Sequence, residues 1–215
     1  IEPRAIDREV SQSMHMTHMG CSSLPEALIR QALRCGLSDG WGGSMMGTEF
    51  SDVMFGTPKP VDSTANIGVM EKDNVNIVVH GHDPSLSEMI VYYANDPEMI
   101  AYAKSMGAKG ITVSGVCCTS NEVAMRHGIP MAGNFLCQEN VVLTGACEAI
   151  VVDVQCIFPA LGPLSKCFHT KFITTSPICR MPDSEFIQFS AENAGENAKA
   201  IVKMAIENFK NRDQS

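Results

Sequence analysis

The sequence predicts an α/β fold, a Rossmann-like parallel-sheet layer sandwich preceded by the end of a helical region. From residue 75 onward, short apolar runs alternate with amphipathic stretches. The runs are apolar throughout, which is typical of parallel strands covered on both faces. A break rich in proline and glycine, G-T-P-K-P at residues 56–60, precedes them. Because neither a helix nor a central strand continues through such a break, we expect the end of a helical domain at 1–57 and a Rossmann-like domain at 58–215.

The residues before the break have a helical pattern. Leu28, Ala32 and Leu33 recur at the spacing of one helix face. The segment D-G-W-G-G-S-M at residues 39–45 then places an acid among glycines, which allow close approach of the backbone. Asp39 is therefore a candidate general base. A capped turn before a helix at 44–54 explains the same residues equally well.

After the break, strands and helices are predicted in alternation. We expect strands at 75–79, 111–114, 131–132, 149–153, 172–175 and 186–189. We expect helices at 84–93, 97–106, 121–127, 137–144 and near 193–210. No G-x-G-x-x-G motif follows the first strand, so the sequence does not support a nicotinamide or flavin site.

The composition narrows the class of function and the compartment. A formal net charge of -8 disfavours nucleic-acid binding, which needs a concentrated basic face. No run of about eighteen apolar residues occurs, so we expect no membrane span. The odd number of cysteines, nine, and the adjacent pair Cys117 and Cys118 favour a reducing cytoplasm over a disulfide-stapled secreted domain. The chain starts at Ile1 without an initiator methionine or a signal peptide, and we expect a piece of a longer chain.

Potential metal ligands follow three of the predicted strands. His82 ends V-N-I-V-V-H-G-H, Cys118 lies in G-V-C-C, and Cys156 ends V-V-D-V-Q-C. Because strand ends of an α/β sheet converge on one edge, these side chains are expected to meet. Imidazole and thiolate are the ligands that soft and borderline metals and iron-sulfur clusters favour. The sequence predicts a metal site here, although each residue taken singly is explained by packing.

The neighbours of these ligands have weaker predicted roles. Side chains of adjacent residues leave an extended backbone in opposite directions, so we expect Cys118 to ligate and Cys117 to lie close by. His80 is two residues before His82 and emerges on the same side of an extended segment, so we place it near the metal. Packing is the expected role of the six other cysteines, namely Cys21, Cys35, Cys137, Cys147, Cys167 and Cys179.

Longer motifs around these residues resemble the anaerobic nickel-iron carbon monoxide dehydrogenases. They are V-N-I-V-V-H-G-H, G-V-C-C-T-x-N-E-V, V-D-V-Q-C-I, D-G-W-G-G-S-M and C-F-H-T-K-F-I-T-T-S, and the resemblance runs from about residue 2 to residue 212. It implies a nickel-iron-sulfur cluster with His82, Cys118 and Cys156 among its ligands. It also implies that Cys117 lies beside the cluster and that Asp39 assists proton transfer.

The resemblance implies a reaction and partners as well. The reaction is CO + H2O to CO2 with two electrons and two protons, and the electrons leave through further 4Fe-4S clusters to a ferredoxin-like acceptor. A homodimer is implied, and an acetyl-CoA synthase subunit is a possible partner. Family members are much longer than this segment and bind the other clusters and the remaining active-site ligands elsewhere. We therefore expect the 215-residue piece alone to be inactive.

Two other interpretations remain open at this point. A hybrid-cluster protein, which has a similar fold and reduces hydroxylamine, is the alternative enzyme, and its site needs no nickel. A non-catalytic α/β domain, whose thiols bind structural zinc or nothing, is the alternative from another class. One local departure from the family pattern is Cys137, where glutamine is more frequent.

Overall fold

The computed structural model describes residues 1–212 and divides the chain into two compact units. The first unit is Ile1–Thr57 and the second begins at Pro58. The boundary falls in the G-T-P-K-P break, where two prolines lack the backbone N–H that a helix or a sheet would use. Across residues 1–212, no helix has both the length and the apolar character that crossing a bilayer requires.

The first unit is helical. It contains α1 (Ile6–Met16), α2 (Pro25–Asp39), a π-helical segment (Gly40–Met46) and α3 (Gly47–Phe55). The last three follow one another without a break. The backbone at Gly40 has φ -58° and ψ -38°, so the chain continues in a helical conformation past Asp39. A capped turn at this position, one of the two interpretations of the sequence, is therefore not formed.

A buried carboxylate joins α1 to α2. Glu9 accepts hydrogen bonds from Arg4 Nε at 2.8 Å and from Gln31 Nε2 at 2.8 Å. Arg4 also donates to it from its backbone N–H at 2.8 Å and from Nη2 at 2.7 Å. The Arg4 guanidinium holds the pKa of this carboxyl well below its usual range. The charge is thus fully compensated although the side chain is inaccessible to solvent.

The second unit is built on a sheet of six strands, all paired in parallel. The spatial order is β3-β2-β1-β4-β5-β6, which is the order of a Rossmann fold. The predicted fold class is confirmed. The strands are β1 (Val75–His80), β2 (Ile111–Val116), β3 (Met131–Gly133), β4 (Ala149–Val152), β5 (Lys171–Thr174) and β6 (Glu185–Phe186).

Helices cover both faces of the sheet. Ile77 and Val79 of β1 belong to the core cluster that α4 and α9 complete, whereas Val78 belongs to a second cluster on the other face. Because successive side chains of a strand point to opposite faces, a strand covered on both sides is apolar throughout. The helices are α4 (Pro84–Ala94), α5 (Pro97–Ser105), α6 (Cys118–His127), α7 (Gln138–Leu143), α8 (Leu161–Ser165) and α9 (Ala194–Asn208).

The observed boundaries differ from the predicted ones mainly beside the candidate ligands. Strand β2 extends to Val116 and α6 begins at Cys118, three residues earlier than predicted. Only a single residue, Cys117, therefore connects them. Strand β6 is limited to Glu185–Phe186. The short helix α8 was not predicted from the sequence.

Candidate metal centre

The candidate site lies at the carboxyl edge of the sheet. Strands β2, β1 and β4 are neighbours, and their pairing brings His80 opposite Val116 on one side and opposite Val152 on the other. The chain proceeds from β1 to one side of the sheet and from β4 to the other. The crevice between β1 and β4 is therefore the topological switch point, where ligands of open α/β sheets bind.

A buried carboxylate ties the end of β1 to the end of β4. Asp153 accepts hydrogen bonds from the backbone N–H of His82 at 2.6 Å and of Asp83 at 2.9 Å, and from that of Val154. Burial raises the pKa of this carboxyl, and the three N–H donors oppose that effect. A Cβ on Gly81, which has φ +127°, would lie 1.9 Å from Asp153 Oδ1. Only glycine lets the carboxylate lie this close to the turn.

The imidazole of His82 has a defined tautomer. Its Nδ1 lies 2.9 Å from the carbonyl oxygen of Val154. Because a carbonyl oxygen can only accept, Nδ1 carries a proton, and Nε2 is the nitrogen that can present a lone pair to a metal. Neutral imidazole fixed in this way by a backbone carbonyl is the form in which histidine binds a metal.

An unusual turn places Cys117 and Cys118 at the end of β2. Cys117 has φ 73° and ψ -155°, and Cys118 is the first residue of α6. The backbone N–H of Thr119 donates to the carbonyl oxygen of Gly81 at 2.9 Å, which joins this turn to the end of β1. Cys118 is thus exposed at the start of a helix, where its sulfur is accessible to a metal.

The two thiols lie closer together than expected. Their sulfur atoms are 3.9 Å apart, and one ligand atom each from His82, Cys117 and Cys118 lies within 4.8 Å of the other two. The expectation that neighbouring side chains diverge does not hold, because the backbone at Cys117 has positive φ and is not extended. Burial raises the pKa of the Cys117 thiol to about 12. The neutral thiol is therefore favoured at that position.

Cys156 approaches the same group from the end of β4. Its thiol and that of Cys118 both interact with the Cys117 thiol. Gln155 and Cys156 have φ of 63° and 59°, a conformation that residues with a Cβ adopt rarely. The side chains of Cys118 and Cys156 are both exposed on this unit. The structure thus brings His82, Cys117, Cys118 and Cys156 to one edge.

His80 is the last residue of β1 and lies inside the sheet. It is buried, and its Nε2 lies 3.1 Å from Oε1 of the buried Gln138. Gln138 in turn donates from Nε2 to the carbonyl oxygen of Cys156 at 2.9 Å. Burial lowers the pKa of His80, so the neutral imidazole is favoured. His80 is connected to the loop that carries Cys156 through one intervening side chain.

Asp39 belongs to the first unit. It is the last residue of α2, its side chain is exposed, and the glycine-rich π-helical segment follows it directly. Its carboxylate lies against Gly43, where a Cβ would be 3.0 Å from Asp39 Oδ1. π-Helical segments are rare and occur frequently at functional sites. The predicted role of Asp39 as a general base stays a prediction.

Sequence reasoning missed Asp153 and Gln138. Asp153 directly follows an apolar strand in V-V-D-V-Q-C, which is a signal that was available in the sequence. No comparable signal marks Gln138, because a polar residue at a helix start is ordinary. Among the six cysteines expected to pack, Cys147 is fully buried and Cys179 packs against the second core cluster. Cys21 and Cys167 are exposed, so the expectation is wrong for these two. Cys137 is half-buried, with its sulfur within 3.7 Å of Asn134 Oδ1.

The donor set fits a soft or borderline metal or an iron-sulfur cluster. One imidazole with a free Nε2 and several thiols converge, while the nearby carboxylate of Asp153 is occupied by backbone N–H groups. Hard cations such as Mg²⁺ prefer oxygen ligands, so a group of one imidazole and two thiols does not suit them. The same donors suit nickel, iron and zinc.

Comparison with known proteins places this edge in context. The sequence model of the Prismane/CO dehydrogenase family matches residues 1–215. The chain is 55% identical over 213 residues to "Carbon monoxide dehydrogenase 1" of Methanosarcina mazei, covering 99% of this chain and 34% of the relative. The corresponding protein of Methanosarcina acetivorans is 56% identical, with the same coverage. The chain thus spans about a third of the length of these curated relatives.

Solved structures give the same result. A nickel-free carbon monoxide dehydrogenase from Thermococcus sp. AM4 matches with a TM-score of 0.95 and 54% identity, covering 99% of this chain and 34% of that one. An acetyl-CoA synthase/carbon monoxide dehydrogenase, described with NiZn[Fe4S4] and NiNi[Fe4S4] clusters in closed and open α subunits, matches with a TM-score of 0.94 and 46% identity, covering 98% of this chain and 31% of that one. The site geometry, the family match and these likenesses agree: the chain belongs to the Prismane/CO dehydrogenase family.

Proposed function

We propose that this chain forms one side of the active site of an anaerobic nickel-iron carbon monoxide dehydrogenase, which converts CO and water to CO2, two electrons and two protons. The main structural support is that His82, Cys117 and Cys118 have ligand atoms within 4.8 Å of one another at the switch point of the sheet. The 55% identity to a curated carbon monoxide dehydrogenase supports the same conclusion. Because the chain spans 34% of that relative, the reaction is proposed for the full-length protein that contains these residues.

His82, Cys118 and Cys156 hold the nickel-iron-sulfur cluster in this proposal, and Cys117 lies beside it. His82 binds through Nε2, since Nδ1 donates to the Val154 carbonyl. Cys118 binds from the first turn of α6. The cluster, when bound, supplies Lewis-acid activation of water and accepts electrons. The remaining ligands and the further 4Fe-4S clusters belong to parts of the full-length chain outside this segment.

Three further residues have proposed roles in orienting the ligands or in handling protons. Asp153 fixes the backbone of His82 through an N–H donor 2.6 Å from its carboxylate. Asp39 acts as the general base that takes up a proton released in the reaction, a role that its exposed carboxylate permits. His80 remains neutral inside the sheet and serves the site through Gln138 and not as a ligand.

The partners follow from the reaction. CO, CO2 and water are the small molecules, and a ferredoxin-like protein is the electron acceptor. We propose a homodimer in the cytoplasm of an anaerobe. A relative from Moorella thermoacetica, 45% identical over 215 residues, is the β subunit of a carbon monoxide dehydrogenase/acetyl-CoA synthase. An acetyl-CoA synthase subunit is therefore a possible partner here.

The proposal is tested with the full-length chain produced without oxygen in nickel-containing medium. CO-dependent reduction of methyl viologen together with bound nickel is the expected result, and the 215-residue piece alone is expected to give no turnover. Hydroxylamine reduction by a nickel-free protein would instead identify a hybrid-cluster enzyme. A colourless, folded protein with zinc or no metal would contradict both enzyme assignments.

A further inference from the structure

Gln138 is a fully buried amide whose hydrogen-bonding groups all have partners. Its Oε1 accepts from His80 Nε2 at 3.1 Å and from the backbone N–H of Phe158 at 2.8 Å. Its Nε2 donates to the carbonyl oxygens of Phe135 at 2.6 Å and Cys156 at 2.9 Å. An amide can make four such bonds, two as acceptor and two as donor, so the side chain is saturated.

The orientation of this amide is determined by its neighbours. The backbone N–H of Phe158 can only donate, and the carbonyl oxygens of Phe135 and Cys156 can only accept. Oε1 must therefore face Phe158, and His80 must present a protonated Nε2 to it. If the amide group turned over, it would lose its bonds to all three backbone groups. Its NH2 group is thereby directed at the backbone of Cys156.

The loop that carries Cys156 needs such support. Gln155 and Cys156 both have positive φ, at 63° and 59°. Non-glycine residues keep this conformation only where the surroundings impose it. Asp153 and His82 hold the first half of the loop through Val154, by bonds to its N–H and its carbonyl oxygen. Gln138 holds the second half, because it bonds Cys156 and Phe158 on both sides of Ile157.

We propose that Gln138 is a positioning residue that fixes the backbone of Cys156, so that its thiol is held at the edge of the sheet where His82, Cys117 and Cys118 meet. The identity of the metal rests on the proposed function, whereas the positioning role rests on the hydrogen bonds alone. His80 has a supporting part, since its Nε2 donates to the Gln138 amide oxygen. The pair thus links the interior of β1 to the loop after β4.

A control for this role lies at the opposite edge of the sheet. Asn208 is also a buried amide, and its Nδ2 donates to the carbonyl oxygens of Glu148 at 2.9 Å and His169 at 2.6 Å. Glu148 precedes β4 and His169 precedes β5, so both lie at the amino edge. Loss of this amide removes two hydrogen bonds to backbone, where loss of Gln138 removes three, and it does so far from the ligands.

The test compares Gln138→Met with Asn208→Leu in the full-length chain, loaded with nickel and iron. Thermal unfolding, nickel and iron per folded chain, and the electron paramagnetic resonance spectrum of the cluster are measured. Both variants are expected to unfold at lower temperature than the parent. Only Gln138→Met is expected to bind metal about 10- to 100-fold more weakly and to show a changed spectrum, as for other partners that orient metal ligands.

A second variant keeps the test decisive if Gln138→Met does not fold. Gln138→Glu retains an acceptor for His80 and Phe158 and loses the NH2 donor, so metal binding and spectrum are expected to change in the same direction. A folded variant at position 138 with the metal content and spectrum of the parent would overturn the positioning role. A parent protein without nickel or CO turnover would refute the proposed function separately, because the metal content of the variants relative to the parent still reports the role of Gln138.

Discussion

Nδ1 of His82 donates to the carbonyl oxygen of Val154 at 2.9 Å, and the backbone N–H of His82 donates to the carboxylate of Asp153 at 2.6 Å. The ends of β1 and β4 are thus joined by side chain and backbone together. This double connection sets the direction of Nε2. Replacing a buried residue that holds this backbone, such as Asp153 or Gln138, should therefore alter metal binding although every ligand is kept.

Gly81→Ala should destabilise the fold much more than an ordinary glycine replacement. The new Cβ would lie 1.9 Å from Asp153 Oδ1 at a residue with φ +127°. We expect a loss of about 1–3 kcal/mol from overpacking, in addition to backbone strain. Urea unfolding of the 215-residue chain measures it. Gly128→Ala is the control, because it has φ +70° but no atom within 4 Å of the new Cβ; equal losses for the two variants would contradict the explanation.

Asp153→Asn should weaken metal binding. The carboxylate accepts three backbone N–H groups, and the amide NH2 of asparagine would oppose one of them. We expect a loss of about 1–3 kcal/mol of unfolding free energy for the unpaired buried donor. Metal affinity should fall about 10- to 100-fold. Metal analysis of the full-length chain checks this, with the exposed Asp73→Asn as the control; unchanged metal content in Asp153→Asn would refute it.

Glu9 should make the first unit sensitive to acid. The Arg4 guanidinium lowers the pKa of Glu9 from its ordinary value of 4.5, so below that pH the unfolded chain binds more protons than the folded one. Stability is therefore lost as the pH falls from 4.5 toward the folded pKa. Glu9→Gln should reduce this loss of unfolding free energy at low pH, whereas replacement of the exposed Glu49 by glutamine should leave it unchanged. Fluorescence of Trp41, the only tryptophan of the chain, reports the transition; an identical loss at low pH for Glu9→Gln and the parent would contradict the prediction.

Cys117→Ser should retain nickel and iron, whereas Cys118→Ser should lose them. The structure places both sulfur atoms near His82, but Cys118 is exposed at the start of α6, whereas Cys117 is half-buried against the second core cluster. We therefore expect Cys118 to be the ligand and Cys117 its neighbour. Metal analysis of the two full-length variants decides between them. Loss of metal from Cys117→Ser alone would reverse the assignment.

The fold was largely predictable from the sequence, because its signals are local. Continuous apolar runs such as Val75 to Val79 identify strands buried on both faces, and the prolines near residue 58 mark the boundary of the two units. The convergence of His82, Cys118 and Cys156 followed from the rule that parallel strands end at one edge. Each of these inferences needs only the spacing of apolar residues along the chain and the order of the strands and helices.

The details of the site were not predictable, because they depend on unusual backbone and on distant partners. Positive φ at Cys117 brings two adjacent thiols together. The sequence does not indicate this conformation, because the residue is not a glycine. Gln138 reaches Cys156 from a different helix, and His80 turns inward to meet it. The continuous helix at Asp39 likewise overrides the preference of glycine for turns, since the π-helical segment keeps helical backbone angles.

The most direct test of the central claim is nickel content and CO-dependent viologen reduction of the full-length chain with single ligand replacements. His82→Ala, Cys118→Ala and Cys156→Ala are compared with Cys21→Ala and Cys167→Ala, which replace exposed cysteines outside the site. We predict that the three ligand variants fold but lose nickel and activity, while the two controls keep both. Full nickel and full activity in any one of the ligand variants would contradict its assignment, and in all three would refute the site.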